Sequence, residues 1–335
     1  MRLDFEKIKS VTQGATYIDQ QDGRITFHRF NQEEEVLYSK TQFRDKVFST
    51  AGVQMEFTTD GDCLCIGFET SPATSRKYFS MDIFVDGVVC KRIQNFEESA
   101  LNVNYTEQIF PLGSFFEEIP LKTGPKTVRI VFPWSVKTQL THMEIKNATY
   151  ITPHKKNKVL VMYGDSITNG YDAVFTSNSY ATRFADAIGA ELFNKGIGGE
   201  IFFPALAAIK SHEAPDYITV AYGTNDWRTA EQGDFRKRCE AFFANLVSNY
   251  PTTAIFALTP IWRKNYKVKQ QFGDFFDVEK GIREICSQYS NIKVLCGWDF
   301  IPHDEIYYAD QRVHPNDQGF AWYFENLKKT FEKSI

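Results

Sequence analysis

The stretch VLVMYGDSITNG, residues 159–170, changes character in its middle. Its first five residues are apolar and favour a buried β-strand, whereas the Gly164-Asp165-Ser166 that follows is typical of a turn into a helix. A serine at this place can be a catalytic nucleophile, or it can only cap the helix with its hydroxyl group. These twelve residues do not distinguish the two roles, so the choice depends on the rest of the chain.

Strand-like and helical segments alternate in the second half of the chain. Apolar runs of strand length occur at 158–163, 191–194, 217–222, 254–259 and 292–296. Between them, apolar residues recur every three or four positions, which is the spacing of helices with one buried face. This alternation predicts a parallel sheet covered by helices on both faces. Ligands and catalytic groups of such sheets gather at the carboxyl ends of the strands.

The first half of the chain has a different pattern. Short segments in which apolar and polar residues alternate occur at 23–30, 52–59, 63–70, 80–87 and 126–133. The pairs Asp60-Gly61 and Asp86-Gly87 are typical of hairpin turns. Many short strands separated by turns predict a two-sheet β-sandwich of the jelly-roll type.

The boundary between the two patterns lies near residue 150. The segment NATYITPHKKNK, residues 147–158, is polar, contains a proline and predicts a linker. A chain of 335 residues is also long enough for two cores. We therefore expect an accessory β-sandwich at 1–150 and a catalytic α/β domain at 151–335.

Composition and charge exclude several classes of function. The net charge is −4 and no stretch is strongly basic, so we expect neither nucleic acid nor an anionic membrane as a partner. No apolar run approaches the roughly 20 residues of a membrane span. The N-terminus lacks the apolar segment of a signal peptide, which predicts a cytoplasmic location. The six cysteines lack the spacing of a metal site, so no metal is expected.

Residues suited to acyl transfer follow successive strands. Ser166 follows the first strand, and the glycine-rich segment NKGIGGE, residues 194–200, follows the second. Asn225 follows the third strand, and His314 lies in the last loop. Serine becomes a good nucleophile when a base such as histidine takes its proton. The negative charge that then forms on the substrate oxygen needs N–H donors, which glycine backbone and asparagine amide can supply. These residues therefore have the composition of an acyl-transfer site.

Each of these residues also has a purely structural interpretation. Ser166 can cap a helix, the glycines can form a tight turn, Asn225-Asp226 can form an Asx turn, and His314-Pro315 can begin the last helix. For any single residue the structural interpretation is as good as the catalytic one. Their occurrence together at the ends of successive strands favours catalysis.

The segments GDSIT, NKGIGGE, GTND and HPND resemble, in order and approximate spacing, the four sequence blocks of the SGNH (GDSL-type) hydrolase superfamily. The resemblance covers roughly residues 155–335. It implies a three-layer αβα sandwich of the flavodoxin-like type, with a five-stranded parallel sheet. It also implies Ser166 as nucleophile, His314 as base, and an oxyanion hole formed by the N–H groups of Ser166 and Gly199 with the Asn225 side chain. No metal or organic cofactor is implied.

One position departs from the pattern of the family. The acid usually stands three residues before the histidine, but that position is Gln311 here, and Asp310 stands four residues before His314. Either a one-residue bulge lets Asp310 reach the imidazole, or a backbone carbonyl orients His314 in a Ser-His dyad. We favour Asp310 as the third catalytic residue.

Two tryptophans are candidates for substrate binding. Trp227 follows GTND and Trp262 follows the strand at 254–259, so both are expected at the active edge, where a ring can stack on a sugar or an acyl group. Ordinary packing beneath the loops is the alternative for both. A β-sandwich joined to an SGNH-like domain also resembles the arrangement in carbohydrate esterases.

These features predict a serine esterase that removes acetyl or another short acyl group from a hydroxylated carbohydrate through an acyl-enzyme. The expected partner is a small-molecule or oligosaccharide ester. A lipid esterase or thioesterase is one alternative, although no amphipathic insert between the blocks suggests a lipid groove. A non-catalytic carbohydrate-binding protein is another, although the serine, asparagine and histidine are all present. The oligomeric state is not predicted.

Overall fold

The computed structural model describes residues 1–101 and 108–335. The chain forms two antiparallel sheets in its first half and a parallel sheet in its second half. The strands are β1 (Thr12–Gln13), β2 (Tyr17–Gln21), β3 (Arg24–His28), β4 (Gln54–Thr59), β5 (Cys63–Pro72), β6 (Ser80–Val85), β7 (Val88–Gln94), β8 (Ser114–Pro120), β9 (Lys126–Val131), β10 (Val136–Lys146), β11 (Ile151–Pro153), β12 (Lys158–Gly164), β13 (Ala190–Gly196), β14 (Tyr217–Ala221), β15 (Ala254–Leu258) and β16 (Ile292–Leu295). The α-helices are α1 (Phe5–Val11), α2 (Gln32–Ser39), α3 (Ser166–Asn169), α4 (Tyr180–Ala187), α5 (Pro204–Ala207), α6 (Thr224–Thr229), α7 (Gln232–Asn249), α8 (Phe276–Cys286) and α9 (Asp317–Glu332).

The two antiparallel sheets form the predicted β-sandwich. One sheet has the strand order β1-β4-β9-β6-β7, with β11 also paired to β4, and the other has the order β2-β3-β10-β5-β8. Because side chains alternate across a strand, one face of each sheet points into a shared apolar core. Leu64, Ile66 and Phe68 of β5 enter this core from one sheet, and Phe57 and Ile83 enter it from the other.

The parallel sheet has the order β13-β12-β14-β15-β16 and lies between two apolar cores. Leu160 and Met162 of β12 face one core, which α4 and α9 cover, whereas Val161 and Tyr163 face the other, which α7 and α8 cover. Burial on both faces explains why the strand at the start of VLVMYGDSITNG is apolar at every position. The predicted three-layer αβα architecture is confirmed.

The two Asp-Gly pairs differ in what they connect. Asp86 and Gly87 have positive φ angles of 49° and 78° and join the antiparallel strands β6 and β7, so the predicted hairpin is confirmed. The hairpin predicted at Asp60-Gly61 is wrong, because β4 and β5 belong to different sheets. The Asp60 carboxylate instead accepts a hydrogen bond of 2.8 Å from the N–H of Thr149, a partner that local sequence does not reveal.

Some regular structure lies where the sequence patterns predicted none. Within the expected linker at 147–158, β11 pairs with β4, so the pairing of the antiparallel sheets extends to Pro153. The first half also contains α1 and α2, and α2 begins with a capping box in which Asn31 and Glu34 each accept the other's backbone N–H. None of the helices in the described ranges combines the length and apolarity needed to cross a membrane.

Candidate active site

Ser166 is the first residue of α3, directly beyond the end of β12. Its Oγ lies 2.9 Å from Nε2 of His314. The residue that caps α3 is Asp165, whose carboxylate accepts a hydrogen bond of 2.9 Å from the N–H of Ile167. Because Asp165 caps the helix, the Ser166 hydroxyl is available to His314.

The sheet register brings the candidate oxyanion donors to the same edge as Ser166. Gly164 of β12 pairs with Gly196 of β13 on one side and with Ala221 of β14 on the other. Ser166, Gly199 and Asn225 therefore follow three neighbouring strands by two, three and four residues. This common edge is the one at which parallel sheets place their ligands.

Gly199 and Asn225 present N–H groups at this edge. Gly199 has a φ angle of 87°, a conformation that glycine adopts without strain, and no described residue accepts a hydrogen bond from its backbone N–H. Asn225 uses its amide to donate a bond of 3.0 Å to the carbonyl of Glu200, which fixes the side chain beside the glycine loop. The Gly199 N–H and the second N–H of the amide are candidate donors for an oxyanion, which such N–H groups can stabilise.

The loop before α9 folds around Asp310. One oxygen of its carboxylate accepts the backbone N–H groups of Arg312, Val313 and His314 at 2.9, 2.8 and 3.1 Å, and the other lies 3.0 Å from His314 Nδ1. Gln311 has a φ angle of 52°, and this left-handed residue takes up the extra position between the acid and the histidine. Asp310 thus reaches the imidazole although it stands four residues before it.

The surroundings of Asp310 favour its charged form. Burial of this carboxyl raises its pKa, but the hydrogen bond and charge of His314 and the loop N–H groups lower the pKa more, to well below its usual value. The carboxylate is therefore ionised beside the imidazole, where it can favour a proton on Nδ1 and leave Nε2 to accept the Ser166 proton.

A second carboxylate, which the sequence did not indicate, also approaches His314. Asp172 Oδ2 lies 3.4 Å from His314 Nδ1, and the Asp172 side chain is fully buried. The guanidinium of Arg76, from the β-sandwich, binds both Asp172 oxygens at 2.8 and 3.1 Å, and Tyr78 Oη lies 3.4 Å from one of them. The pair joins residues 96 positions apart, so no local motif could have revealed it.

Side chains from the first half of the chain hold the glycine-rich loop in place. Arg29 is fully buried, and its Nη1 donates to the carbonyls of Asn194 and Gly196 at 2.7 and 3.2 Å. Lys46 donates to the carbonyl of Gly198, next to the candidate oxyanion residue. These contacts make the β-sandwich part of the support for the site.

Glu200, at the end of this loop, is another buried acid. Tyr38 of α2 and Tyr222 donate hydrogen bonds of 2.6 and 2.7 Å to its two oxygens. Burial raises the pKa of Glu200 to about 8, although these two hydrogen bonds lower it. The loop therefore rests on a carboxyl group that is neutral over much of the physiological range.

The two tryptophans lie at the predicted edge but are largely covered. Trp227 is fully buried, packs against Phe275 with ring centroids 5.1 Å apart, and donates a bond of 3.2 Å to the carbonyl of Gly273. This burial does not fit the expected stacking of Trp227 on a substrate, and agrees with packing beneath the loops. Trp262 is 8% exposed and stacks on His303, with ring centroids 6.0 Å apart.

Among the residues that the structure describes, two groups of side chains have ligand atoms close enough together to hold a metal ion. One is Asp172, Asp310 and His314, and the other is Cys63, Cys65 and Glu118 in the β-sandwich. In the first group, Asp172 is paired with Arg76, Asp310 binds His314 Nδ1, and His314 Nε2 lies 2.9 Å from Ser166 Oγ. The ligand atoms of this group are therefore already engaged in contacts within the protein.

The chain is similar in sequence to one protein family and in fold to several solved structures. Residues 162–322 match the sequence profile of the GDSL-like Lipase/Acylhydrolase family. Among curated proteins, none has a sequence that matches this chain. Several solved structures share its fold at low sequence identity.

Three of these structures also contain the region that corresponds to the β-sandwich. The salicylyl-acyltransferase SsfX3 from a tetracycline biosynthetic pathway has a TM-score of 0.80 at 18% identity, covering 96% of this chain and 94% of its own. A family two carbohydrate esterase from Clostridium thermocellum, in complex with cellohexaose, has a TM-score of 0.66 at 15% identity. The match covers 86% of this chain and 94% of the esterase. The acetyl xylan esterase Est2A from Butyrivibrio proteoclasticus has a TM-score of 0.59 at 16% identity, covering 86% and 90%. These similarities show a common fold.

Proposed function

Residues 162–322 of this chain form a domain of the GDSL-like lipase/acylhydrolase family, and on that premise we propose that the protein is a serine esterase. It removes acetyl or another short acyl group from a hydroxylated carbohydrate. The observation that carries the proposal is the 2.9 Å contact of Ser166 Oγ with His314 Nε2, while His314 Nδ1 lies 3.0 Å from Asp310. A hydroxyl, an imidazole and a carboxylate in this order are the groups that nucleophilic acyl transfer requires.

The first half of the reaction forms an acyl-enzyme. His314 Nε2 takes the proton of Ser166 while Oγ attacks the acyl carbon, and Asp310 stabilises the imidazolium. The N–H groups of Ser166, Gly199 and Asn225 bind the oxygen that becomes negative. His314 then gives the proton to the alcohol oxygen, whose bond to the acyl carbon breaks.

The second half repeats these steps with water. His314 takes a proton from water as its oxygen attacks the acyl carbon of the ester on Ser166, and the same N–H groups bind the oxyanion. The proton returns to Ser166 Oγ, and the carboxylic acid leaves. In both halves His314 first accepts a proton as base and then donates it as acid, and the same N–H groups bind the oxyanion.

The carbohydrate part of the proposal is supported by similarity of fold. A family two carbohydrate esterase in complex with cellohexaose and an acetyl xylan esterase share the arrangement of a β-sandwich before the αβα domain. In this chain, Arg76 from the β-sandwich binds Asp172 next to His314, so the first domain borders the edge where an alcohol would leave.

The direct experiment is hydrolysis of 4-nitrophenyl acetate by the protein and by Ser166→Ala. We expect turnover by the unchanged protein and a loss of at least about 1000-fold in the variant, because the nucleophile is removed. Ser287→Ala is the matched control, since this exposed serine only donates to the carbonyl of Glu284. Equal turnover by Ser166→Ala and Ser287→Ala would contradict the proposal.

A series of 4-nitrophenyl esters with increasing acyl length tests the choice of acyl group. We expect kcat/KM to be highest for acetate or propionate. A maximum at chains of eight carbons or more would instead support a lipid esterase or thioesterase. Binding of oligosaccharide without hydrolysis of any ester would support the non-catalytic alternative.

A further inference from the structure

Three arginine side chains cluster beside the candidate active site and take no part in the proposed reaction. Arg312 lies two residues before His314, and the carbonyl of Arg312 accepts a hydrogen bond of 3.0 Å from the N–H of Lys264, so the loop of Arg263 runs next to it. Arg263 Nη1 donates to the carbonyl and hydroxyl of Thr224 at 3.0 and 2.9 Å, directly before Asn225. Arg228 lies on the same helix as Thr224 and Asn225, α6.

Arg263 is unusual because it is a nearly buried cation without a carboxylate partner. Only 2% of the residue is exposed, and its guanidinium lies 4.9 Å above the ring of Trp227. Its Nε and Nη1 bind Asn265 and Thr224, whereas Nη2 has no hydrogen-bond acceptor among the described residues. A cation removed from water is costly unless an anion approaches it.

The other two guanidinium groups are exposed and lie near the first. In the described part of the chain, no carboxylate oxygen comes within 4.0 Å of Arg228 or Arg312. Burial and, to a smaller extent, the positive charges of Arg312 and Arg228 together lower the pKa of Arg263 to about 10. Three mutually repelling cations therefore lie together at the active edge.

The two acids whose charges act on Arg263 are committed to other groups. Asp310 binds His314 and three loop N–H groups, and Asp165 caps α3. Burial raises the pKa of Asp165 to about 7, so this carboxyl group is protonated in a large fraction of molecules at neutral pH. Among the described residues, no carboxylate lies within ion-pair distance of the three guanidinium groups, and Asp310 offsets only part of their charge.

We propose that Arg228, Arg263 and Arg312 bind a carboxylate on the alcohol part of the substrate, so that the preferred substrate is an acylated acidic sugar such as a uronic acid. This inference rests on the proposed esterase function and specifies its substrate. His314 gives its proton to the leaving alcohol, and Arg312 belongs to the loop that carries His314, so the cluster lies on the alcohol side. Guanidinium groups bind carboxylates through paired, charge-assisted hydrogen bonds.

The experiment compares two esters that differ only in charge, a mono-acetylated methyl glucoside and the corresponding mono-acetylated methyl glucuronide. We expect kcat/KM to be about tenfold higher for the glucuronide at low ionic strength. The preference should decrease when salt is raised, because exposed charges are screened. A third substrate, 4-nitrophenyl hemisuccinate, carries its carboxylate on the acyl group and is compared with 4-nitrophenyl acetate.

Variants of the three arginines then test whether the cluster causes the preference for the glucuronide. Arg312→Gln and Arg228→Gln should each reduce the ratio of kcat/KM for glucuronide over glucoside by about threefold or more. Arg263→Lys keeps a cation at the buried position, and it should reduce the ratio because a lysine cannot bind a carboxylate in the same paired manner. Arg283→Gln is the control and should leave the ratio unchanged, since Arg283 pairs with Glu279 near the far end of α8.

The possible results separate this inference from the esterase proposal. Hydrolysis of the glucoside as fast as the glucuronide would overturn the inference and leave the esterase function standing. A preference only for the hemisuccinate would place the carboxylate on the acyl group and also overturn it. No hydrolysis of any of these esters would overturn both.

Discussion

His314 Nδ1 lies near two carboxylates that differ in what else they bind. Asp310 is 3.0 Å away and directs its other oxygen to the loop N–H groups, whereas Asp172 is 3.4 Å away and both of its oxygens bind Arg76. A carboxylate already paired with a guanidinium is a weaker acceptor for the imidazole N–H. Asp310 is therefore the acid that we expect to orient His314.

Replacement of Asp310 tests the difference between a triad and a dyad. Asp310→Asn should reduce kcat about 100-fold or more, because an amide at this place favours the tautomer with the wrong nitrogen protonated. Measurement of kcat for an acetyl ester checks this expectation. Asp299→Asn is the control, since the Asp299 side chain is 83% exposed. A loss of less than about threefold in Asp310→Asn would instead favour a dyad.

The Asn225 amide is expected to act on the transition state. Asn225→Ala should reduce kcat by about 100- to 1000-fold with little change in KM. The reason is that the lost N–H donor binds the oxyanion of the transition state more strongly than the carbonyl oxygen of the bound substrate. Asn245→Ala removes a similar amide, which donates to the carbonyl of Pro204, and serves as its control. A rise in KM at constant kcat would show that Asn225 only binds substrate.

At the scale of elements, the loop after β13 depends on a buried acid. Glu200 has a pKa of about 8 in the folded protein, because burial disfavours its charge. An exposed glutamate in the unfolded chain has a pKa of roughly 4.3. The folded state thus binds the Glu200 proton more strongly, so this residue's contribution to the free energy of unfolding decreases as the pH rises from about 4.3 to 8.

The variant Glu200→Gln has no titrating carboxyl group at this position. The difference in stability between it and the unchanged protein at each pH should therefore report the titration of Glu200. At pH 5 the variant and the unchanged protein both carry a neutral group there, so their melting temperatures should differ least. As the pH is raised to 9, the unchanged protein should lose stability relative to Glu200→Gln, as measured by calorimetry at each pH. Glu213→Gln, at a side chain that is 92% exposed, should give a curve parallel to the unchanged protein. Parallel curves for Glu200→Gln would contradict the expectation.

The elements also show which parts of the structure a sequence can predict. The parallel sheet could be predicted because its central strands β12, β14 and β15 are mostly apolar and mostly buried, and Ser166, Gly199 and Asn225 could be located because they follow neighbouring strands. The turn at Asp86-Gly87 was predicted correctly because the hairpin is local. The turn at Asp60-Gly61 has a similar sequence, but its partner is Thr149, so the pattern gave the wrong connection.

Prediction of the candidate site from sequence is limited in the same way, by contacts between residues that are far apart in the chain. Asp172 could not be predicted, since only the packing of the two domains brings Arg76 to it. Whether Trp227 is buried was left open, because its position in the sequence indicated the edge of the sheet but not whether Phe275 and Arg263 would cover it.

At the scale of the whole molecule, the β-sandwich and the αβα domain share the site. Residues of the sandwich such as Tyr78 and Trp134 belong to the same apolar cluster as Tyr171 and Phe175, which surround α3. Arg76 adds a charged contact, and its guanidinium also lies 5.5 Å above the Tyr171 ring. We therefore expect a substitution that removes this contact to lower both the stability and the catalytic rate.

The variant Arg76→Leu tests this connection. It should lower the free energy of unfolding by about 3 kcal/mol, because the buried Asp172 loses its guanidinium partner, and it should also lower kcat. Urea unfolding and ester hydrolysis measure the two effects. Adding Asp172→Asn to Arg76→Leu should restore part of the stability.

A matched control lies in the sandwich alone. Arg24 binds both oxygens of Glu69 at 2.7 and 3.0 Å, but both side chains are partly exposed, so Arg24→Leu should destabilise the protein much less than Arg76→Leu and leave kcat unchanged. Equal effects of Arg24→Leu and Arg76→Leu would show that the contact between the domains has no special role.

Covalent labelling tests most directly whether Ser166 is the nucleophile. The protein is incubated with a fluorophosphonate, which forms a stable adduct with an activated serine, and the modified peptide is identified by mass spectrometry. We expect a single adduct on Ser166, and its loss in His314→Ala, because the hydroxyl 2.9 Å from Nε2 then has no base. An adduct on another residue, or ester hydrolysis by a protein whose Ser166 remains unlabelled, would contradict the assignment of Ser166 as nucleophile.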